Sequence, residues 1–482
     1  MLMSRSRFFA RGGATVVFLL GAAGCSPFPP AKPVSSVTLP ARFEAAPAVG
    51  EAAAPGWALP VWWRAWHDPE LDRLVQAALA ANLDLRAAQD RVKQARAYAT
   101  VVDSALYPTV GLTGNIAGGG VNWRHPVSPL LHSVAPDIQD PATDGHLAGV
   151  GVAWEPDVFG SHHADSRAAG QMVLAAQDMV QGVHMAIAAD VAANYLTAKG
   201  VQQRMALLER SVTVLAQLET YTRARFNAGQ ATSADVQSIT GQKQGIEAEL
   251  PVLQATLDTC RHRLAILAGL PPEQAPKLDG PASYVTPPAP VGEVPVSVLD
   301  RRPDVRLRRA VVQADVERLT SARNQLLPHF GLEFFGGDGR LRFDGLPGLS
   351  GTGGLVALTT YLPVFTAGRV HAQIHAADAR LDEAVAQYDQ TLLTALAEVE
   401  DAYESRSSLD SRIESLVAQE ASTSAAAQAA RGLYEGGRMT MQDVLEARLR
   451  LIRVQDAVVE ARTRQALATV GLARALGGGW GD

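Results

Sequence analysis

Phe226-Asn-Ala-Gly229-Gln-Ala-Thr232-Ser-Ala-Asp235 is matched 208 positions later by Tyr434-Glu-Gly-Gly437-Arg-Met-Thr440-Met-Gln-Asp443. In each stretch a glycine stands where a left-handed residue ends a helix. The Thr-x-x-Asp that follows is the pattern of a capping box that starts another. Each stretch is therefore the tip of an αα-hairpin, written twice. The same shift lays Gly160 on Gly368, Tyr195 on Tyr403, Leu264 on Leu472 and Gly269 on Gly477. One gapless register over about a hundred residues marks an internal duplication.

The limbs on either side of the first tip are periodic. Val201, Met205, Leu208, Val212 and Leu215 lead into it, and Ile246, Leu250, Leu253, Leu257, Cys260, Leu264 and Leu267 lead away. Steps alternating four and three form the apolar seam of a coiled coil. Leu381, Val385, Tyr388 and Leu392 repeat the rhythm in the second copy. One helix from Gly160 to Phe226 would span roughly 100 Å at ~1.5 Å per residue, the height of a tunnel wall. Alanine seam positions such as Ala425 to Ala427 suit closely spaced helices. Pro251 must kink the first return helix or remove one of its hydrogen bonds; its counterpart, Val459, does neither.

Upstream of the limbs a shift of 220 applies, laying Asp84 on Asp304, Val92 on Val312, Pro108 on Pro328 and Gly111-Leu112 on Gly331-Leu332. The change of shift places an insertion of twelve residues between Leu112 and Gly160. This segment, with Gly118-Gly-Gly120 and Asn122-Trp-Arg-His-Pro126, reads as an exposed loop, and Gly336-Gly-Asp-Gly339 as its shorter counterpart. Each loop joins two strand candidates: Thr109 to Ile116 with Gly149 to Trp154, and His329 to Phe335 with Leu355 to Tyr361. Their weak alternation suits strands with one face to lipid and one to a lumen. Four strands cannot close a barrel, and an open edge cannot sit in lipid. Membrane strands here require several chains in one barrel.

The 482 residues carry a net charge of −6 and 47% apolar content, which gives no reason to expect a nucleic-acid partner. Residues 1–24 read as a secretory signal: Arg5, Arg7 and Arg11, the apolar Val16 to Leu20, then small residues before Cys25. Its removal takes the charge to −9. Residues 25–61 form a Pro- and Ala-rich arm. Trp62-Trp63-Arg-Ala-Trp66-His-Asp68-Pro69 then opens a helix, its tryptophans serving either a membrane interface or an N-terminal strap packed on the body. The repeats are expected at 62–280 and 281–482, joined by a Pro-rich segment from Pro271 to Pro295.

The chain resembles the TolC-like outer-membrane efflux family, in its NodT-type lipoprotein branch. The resemblance rests on Ala22-Ala-Gly-Cys25, Trp62-Trp63 with Asp68-Pro69, and Arg301-Arg-Pro-Asp-Val305. It rests also on Trp154-Glu-Pro-Asp-Val-Phe159-Gly160, on Pro363-Val-Phe365 with Gly368-Arg369, and on both tips. It implies a mainly α-helical chain with a membrane β part. Three copies would share a twelve-stranded barrel continued by a helical one. It further implies a passive exit duct, lipidated at Cys25 and needing no cofactor beyond that lipid. A periplasmic adaptor and an inner-membrane pump would be its partners, and the outer membrane, with the body in the periplasm, its place.

By the same resemblance Asp443 and Glu446 hold pore-carboxylate positions, Tyr434 the tyrosine, and Asp235 the acid that ties neighbouring hairpins. Gly229, Thr232, Gly437, Arg438 and Thr440 would form the adaptor-docking tips. The resemblance also implies two departures, Leu449 where some members of the family have arginine and Met439 where another has one. For Asp235 and Asp443 the capping box is a second explanation beside the gate, whereas Glu446, matched by Ser238, has no capping role. His371 and His375, four apart, have chelating spacing without an evident third ligand. No nucleophile elbow, phosphate loop or metal quartet points to an enzyme. A coiled-coil structural lipoprotein and a non-gated porin are the other readings; the first has no use for the strand pairs, the second none for such long helices.

Overall fold

The structure is a computed structural model that describes residues 28–29, 31–47, 58–120, 142–279, 283–343 and 348–479. The signal at 1–24, Cys25 and Asn122-Trp-Arg-His-Pro126 lie outside the described residues. A 3-10 segment, Leu59–Trp66, precedes α1 (Pro69–Ala81), α2 (Leu83–Asp103), β1 (Thr109–Gly120), β2 (Ala142–Trp154), α3 (Ser161–Asn227) and α4 (Ser233–Leu267). There follow α5 (Pro295–Arg301), α6 (Pro303–Asn324), β3 (His329–Phe343), β4 (Leu349–Tyr361), α7 (Arg369–Glu435) and α8 (Met441–Ala475). The long limbs match in length, 67 residues for α3 and α7 and 35 for α4 and α8. Two compact units each draw on both halves of the sequence.

The first unit takes in Lys93–Leu174 and Ala310–Ala386 and holds a four-stranded antiparallel sheet in the order β1-β2-β3-β4. Val110, Val152, Phe334 and Val356 align across it on one face, and Thr109, Ala153, Glu333 and Ala357 on the other. The apolar face is bare, with Leu112 88% and Ile116 92% exposed. All four strands outrun their expected bounds, and Gly118–Gly120 and Gly336–Gly339, expected in loops, lie within β1 and β3. Crowding explains Gly337 of this second run and Gly149 opposite it. A Cβ on Gly337 would stand 2.5 Å from the Ala148 carbonyl oxygen, and one on Gly149 2.6 Å from that of Gly336. Only glycine lets these backbones meet.

The motif Trp154–Gly160 makes the turn from β2 into α3. Trp154 Nε1 donates to the Leu106 carbonyl, and Asn324 Nδ2 to that of Phe159. Asp157 Oδ2 accepts the His163 backbone N–H at 2.7 Å, with that residue's ring Nδ1 at 2.6 Å. His162 stands 3.8 Å from Glu155, whose Oε1 lies 2.8 Å from His329 Nδ1. Both histidines of the His162-His163 pair are thus occupied with carboxylates at the helix start.

The second unit comprises Ser35–Val92, Ala175–Arg309 and Gln387–Asp482. Trp62, Trp63 and Trp66 are buried in its core with Leu71, Tyr195, Leu264 and Val470. They pack a strap; they are not a membrane interface. Asp68 caps α1 through the Glu70 and Leu71 N–H groups and also accepts the Tyr195 hydroxyl at 2.7 Å. The arm adds more than its composition suggested, since Phe43 is buried beside Tyr403. Ser35 and Ser36 donate to Asp389, and the Glu44 and Ala45 N–H groups to Glu400. Helix α4 continues through Pro251 without a break.

Each half is closed by a long-range bond that periodicity does not reveal. Asn82 Nδ2 donates to the Leu267 carbonyl at the end of α4, and Arg302 Nη1 to the Ala475 carbonyl at the end of α8. Asn82 and Arg302 correspond under the shift of 220, Leu267 and Ala475 under that of 208. The remaining Arg302 donors reach Asp304 and Glu398. Burial pushes the Asp304 carboxyl up, but the Arg302 guanidinium outweighs it and holds that carboxyl below its ordinary value.

Arg302→Ala should cost about 2 kcal/mol, because it strands a carbonyl and two carboxylates. The figure is kept modest because both carboxylates are 45% exposed. A depressed carboxylate adds stability that is present above its unfolded pKa and lost as pH falls through the folded one. The gap between wild type and variant in circular-dichroism melts should therefore narrow below about pH 4. A gap indifferent to pH would remove Asp304 from the account.

Candidate functional site

Both hairpin tips are built as their sequences require. Gly229 has φ 74° and Gly437 φ 71°, and each closes its helix with a paired turn. The N–H groups of Gly229 and Gln230 reach the carbonyls of Phe226 and Arg225; those of Gly437 and Arg438 reach Tyr434 and Leu433. A Cβ on either glycine would meet nothing within 4 Å, so the positive φ, not crowding, requires glycine. Thr232 and Thr440 then open α4 and α8 with reciprocal capping boxes. Asp235 Oδ2 accepts the Thr232 N–H and hydroxyl, both at 2.8 Å, and Asp443 Oδ2 those of Thr440 at 2.9 and 2.6 Å. The Thr232 N–H, then its hydroxyl, holds the Asp235 carboxyl below its ordinary value; for Asp443 the Thr440 hydroxyl acts first and the N–H second.

The structure brings together only some of the expected residues. Asp235 and Glu446 line one crevice of about 280 Å³, with Thr222, Ser238, Gln442 and Arg450. Its apolar wall includes Leu218, Ile239 and Leu449, members of a core cluster with Leu215 and Leu445. Leu449 is thus a core residue in this chain. Asp443 sits outside this crevice, engaged in its cap. Tyr434 is 39% exposed on the last turn of α7, and Arg438 and Thr440 are exposed. His371 and His375 are exposed at the start of α7. Among the described residues no group of three His, Cys, Asp or Glu could hold a metal.

Two residues that sequence reasoning passed over connect the tips. Arg225 Nη1 donates to Gln442 Oε1 at 3.2 Å, and its Nη2 to the Gln230 carbonyl at 3.2 Å. Gln442 Nε2 donates to Glu446 Oε1 at 3.0 Å, and Arg450 approaches Glu446 at 3.9 Å from the next turn. The signal was present in the duplication itself. Arg225, Gln442 and Glu446 are matched by Leu433, Ala234 and Ser238. Where two copies agree they mark the frame, and where polar residues depart from it they mark what one hairpin does alone.

A model of the family described as outer membrane efflux protein matches residues 74–270 and 294–478. The pyoverdine export outer membrane protein OpmQ of Pseudomonas aeruginosa is 30% identical over 473 residues, 96% of this chain and 95% of that protein. The probable outer membrane lipoprotein SilC of Salmonella typhimurium is 25% identical over 489 residues, 97% of this chain and 98% of its own length. The solved outer-membrane channel OprN superposes with a TM-score of 0.80 at 26% identity, covering 94% of this chain and 99% of that one. The fold agrees with these matches: two strands and a long helical hairpin, repeated within one chain. The chain belongs to the outer membrane efflux protein family, and it is a TolC-like duct in the outer membrane, facing the periplasm, through which a pump system exports compounds.

Proposed function

We propose that three copies of this chain share one twelve-stranded barrel, that the duct is gated at its hairpin tips, and that it docks there to a periplasmic adaptor and an inner-membrane pump. The observation that carries the reading is the open sheet. Among the described residues β1 and β4 have no partner on their outer sides. Such edges, with Leu112 and Val356 bare beside them, are tolerable in hydrocarbon only if another chain pairs with them. Small drugs or toxic compounds fit a passive duct with no reaction to perform.

For the gate, the support is the crevice that brings Asp235 and Glu446 together. A trimer would set three copies of Glu446 around one axis, where mutual repulsion must be offset by hydrogen bonds, cations or partial protonation. Such a ring favours cations and is plugged by divalent ones. The full-length protein in a planar bilayer should run as a trimer of single-channel conductance, blocked by divalent cations. Glu446→Ala should abolish the block and the cation preference; a variant with both intact would sink the gate.

For docking, the support is that both glycine turns are exposed and open, with room for a partner against the backbone. Gly437→Trp both blocks that approach and places a bulky residue at positive φ. It should abolish export while the assembled barrel persists. A well-expressed variant that exports normally would count against docking there.

The NodT-type lipoprotein branch is the reading we favour within the family. Ala22-Ala-Gly-Cys25 supports it, as does the word lipoprotein in the name of SilC. Acyl chains at ~0.8 kcal/mol per buried CH₂ would hold the N-terminus firmly. Mass spectrometry of the mature chain should find lipid on Cys25, and an unmodified cysteine or another cleavage site would remove it from that branch.

A further inference from the structure

The first hairpin turn and the candidate gate carboxylate are joined by two side chains. The Arg225 guanidinium bonds the Gln230 carbonyl with one terminal nitrogen and Gln442 Oε1 with the other, and Gln442 passes its amide N–H to Glu446 Oε1. Both Arg225 contacts are 3.2 Å and share one rigid plane. Displacing either acceptor therefore disturbs the other bond, which a lysine's single ammonium would not reproduce. The Tyr221 ring, 5.9 Å away, restrains the guanidinium further. Gln230 is the residue just past Gly229, so this bond reports directly on the conformation of the exposed turn.

The connection runs one way only. Its members Arg225, Gln442 and Glu446 are replaced by Leu433, Ala234 and Ser238 at the corresponding places of the other copy. Among the described residues these replacements leave no counterpart of the Arg225–Gln442–Glu446 chain between the second turn and the first return helix. A feature kept solely for hairpin stability would be expected in both copies, as the glycine turns and capping boxes are.

We infer that Arg225 is a positioning residue that ties the backbone of the first turn to Glu446 through Gln442, so that a partner displacing this turn releases the Glu446 carboxylate. The inference rests on the gate and docking reading above and gives it a direction: the first turn senses, and the second hairpin responds.

The test uses the full-length channel in planar bilayers without partner proteins. Arg225→Met and Gln442→Leu should each raise open probability roughly tenfold, the size of an ordinary coupling between sites. The double variant should add nothing further, since both break one chain of contacts. Arg225→Lys should fall between wild type and Arg225→Met. Additive effects, or lowered melting temperature with unchanged conductance, would overturn the relay. The two readings fail separately. If Glu446→Ala leaves conductance and divalent block unchanged, the gate itself is wrong. If Glu446→Ala alters both while Arg225→Met and Gln442→Leu alter neither, the relay alone is wrong.

Discussion

Backbone N–H and C=O groups cannot be left unpaired where water is absent, and this chain is shaped around that constraint. Its two sequence copies contribute two strands each, which pair into a sheet of four whose edges are unpaired among the described residues. The copies need each other to extend the sheet, and in the proposed barrel further copies of the chain would close it. Within the strands the same constraint recurs at close range. Glycines bring β2 and β3 to separations that no side chain would allow at Gly149 or Gly337, so the ladder continues where composition suggested a loop.

The helical part meets the constraint differently, since long helices satisfy their own backbones except at the ends. Those ends are handled with repeated devices. Glycines 229, 269, 437 and 477 all terminate helices at positive φ, and Asn82 and Arg302 reach across to the last carbonyls of α4 and α8. Duplication supplied the frame, and divergence supplied the differences. Asn82 became a helix cap as well as a closing bond, whereas Arg302 added an ion pair with Asp304 and Glu398.

Much of this was legible in sequence because helix termination is local. A glycine and a Thr-x-x-Asp lie within one turn of the groups they satisfy, and both tips are built as read. The strand ends were not legible, because glycine reads as a turn until its cross-strand neighbour is known. Partners 185 and 173 residues away hid the closing bonds of Asn82 and Arg302. Phe43 was hidden by the proline and alanine around it. At the tips, sequence separated Glu446 from the capping acids, and the structure set it in a crevice with Asp235. Arg225 and Gln442 were missed because long polar side chains on a helix surface ordinarily need no explanation.

The two return helices are equal in length but unequal in stiffness. Within eleven residues α4 carries Gly241, Gly245 and Pro251, where α8 has Leu449, Arg453 and Val459. Glycine weakens a helix interior by about 1 kcal/mol and proline by about 3 kcal/mol. The Glu247 carbonyl, four residues before Pro251, has lost its helical donor. Elastic compliance is therefore concentrated in the first hairpin, while the second is the strut. A load shared by both would bend α4 before α8, since its own sequence holds α4 less firmly.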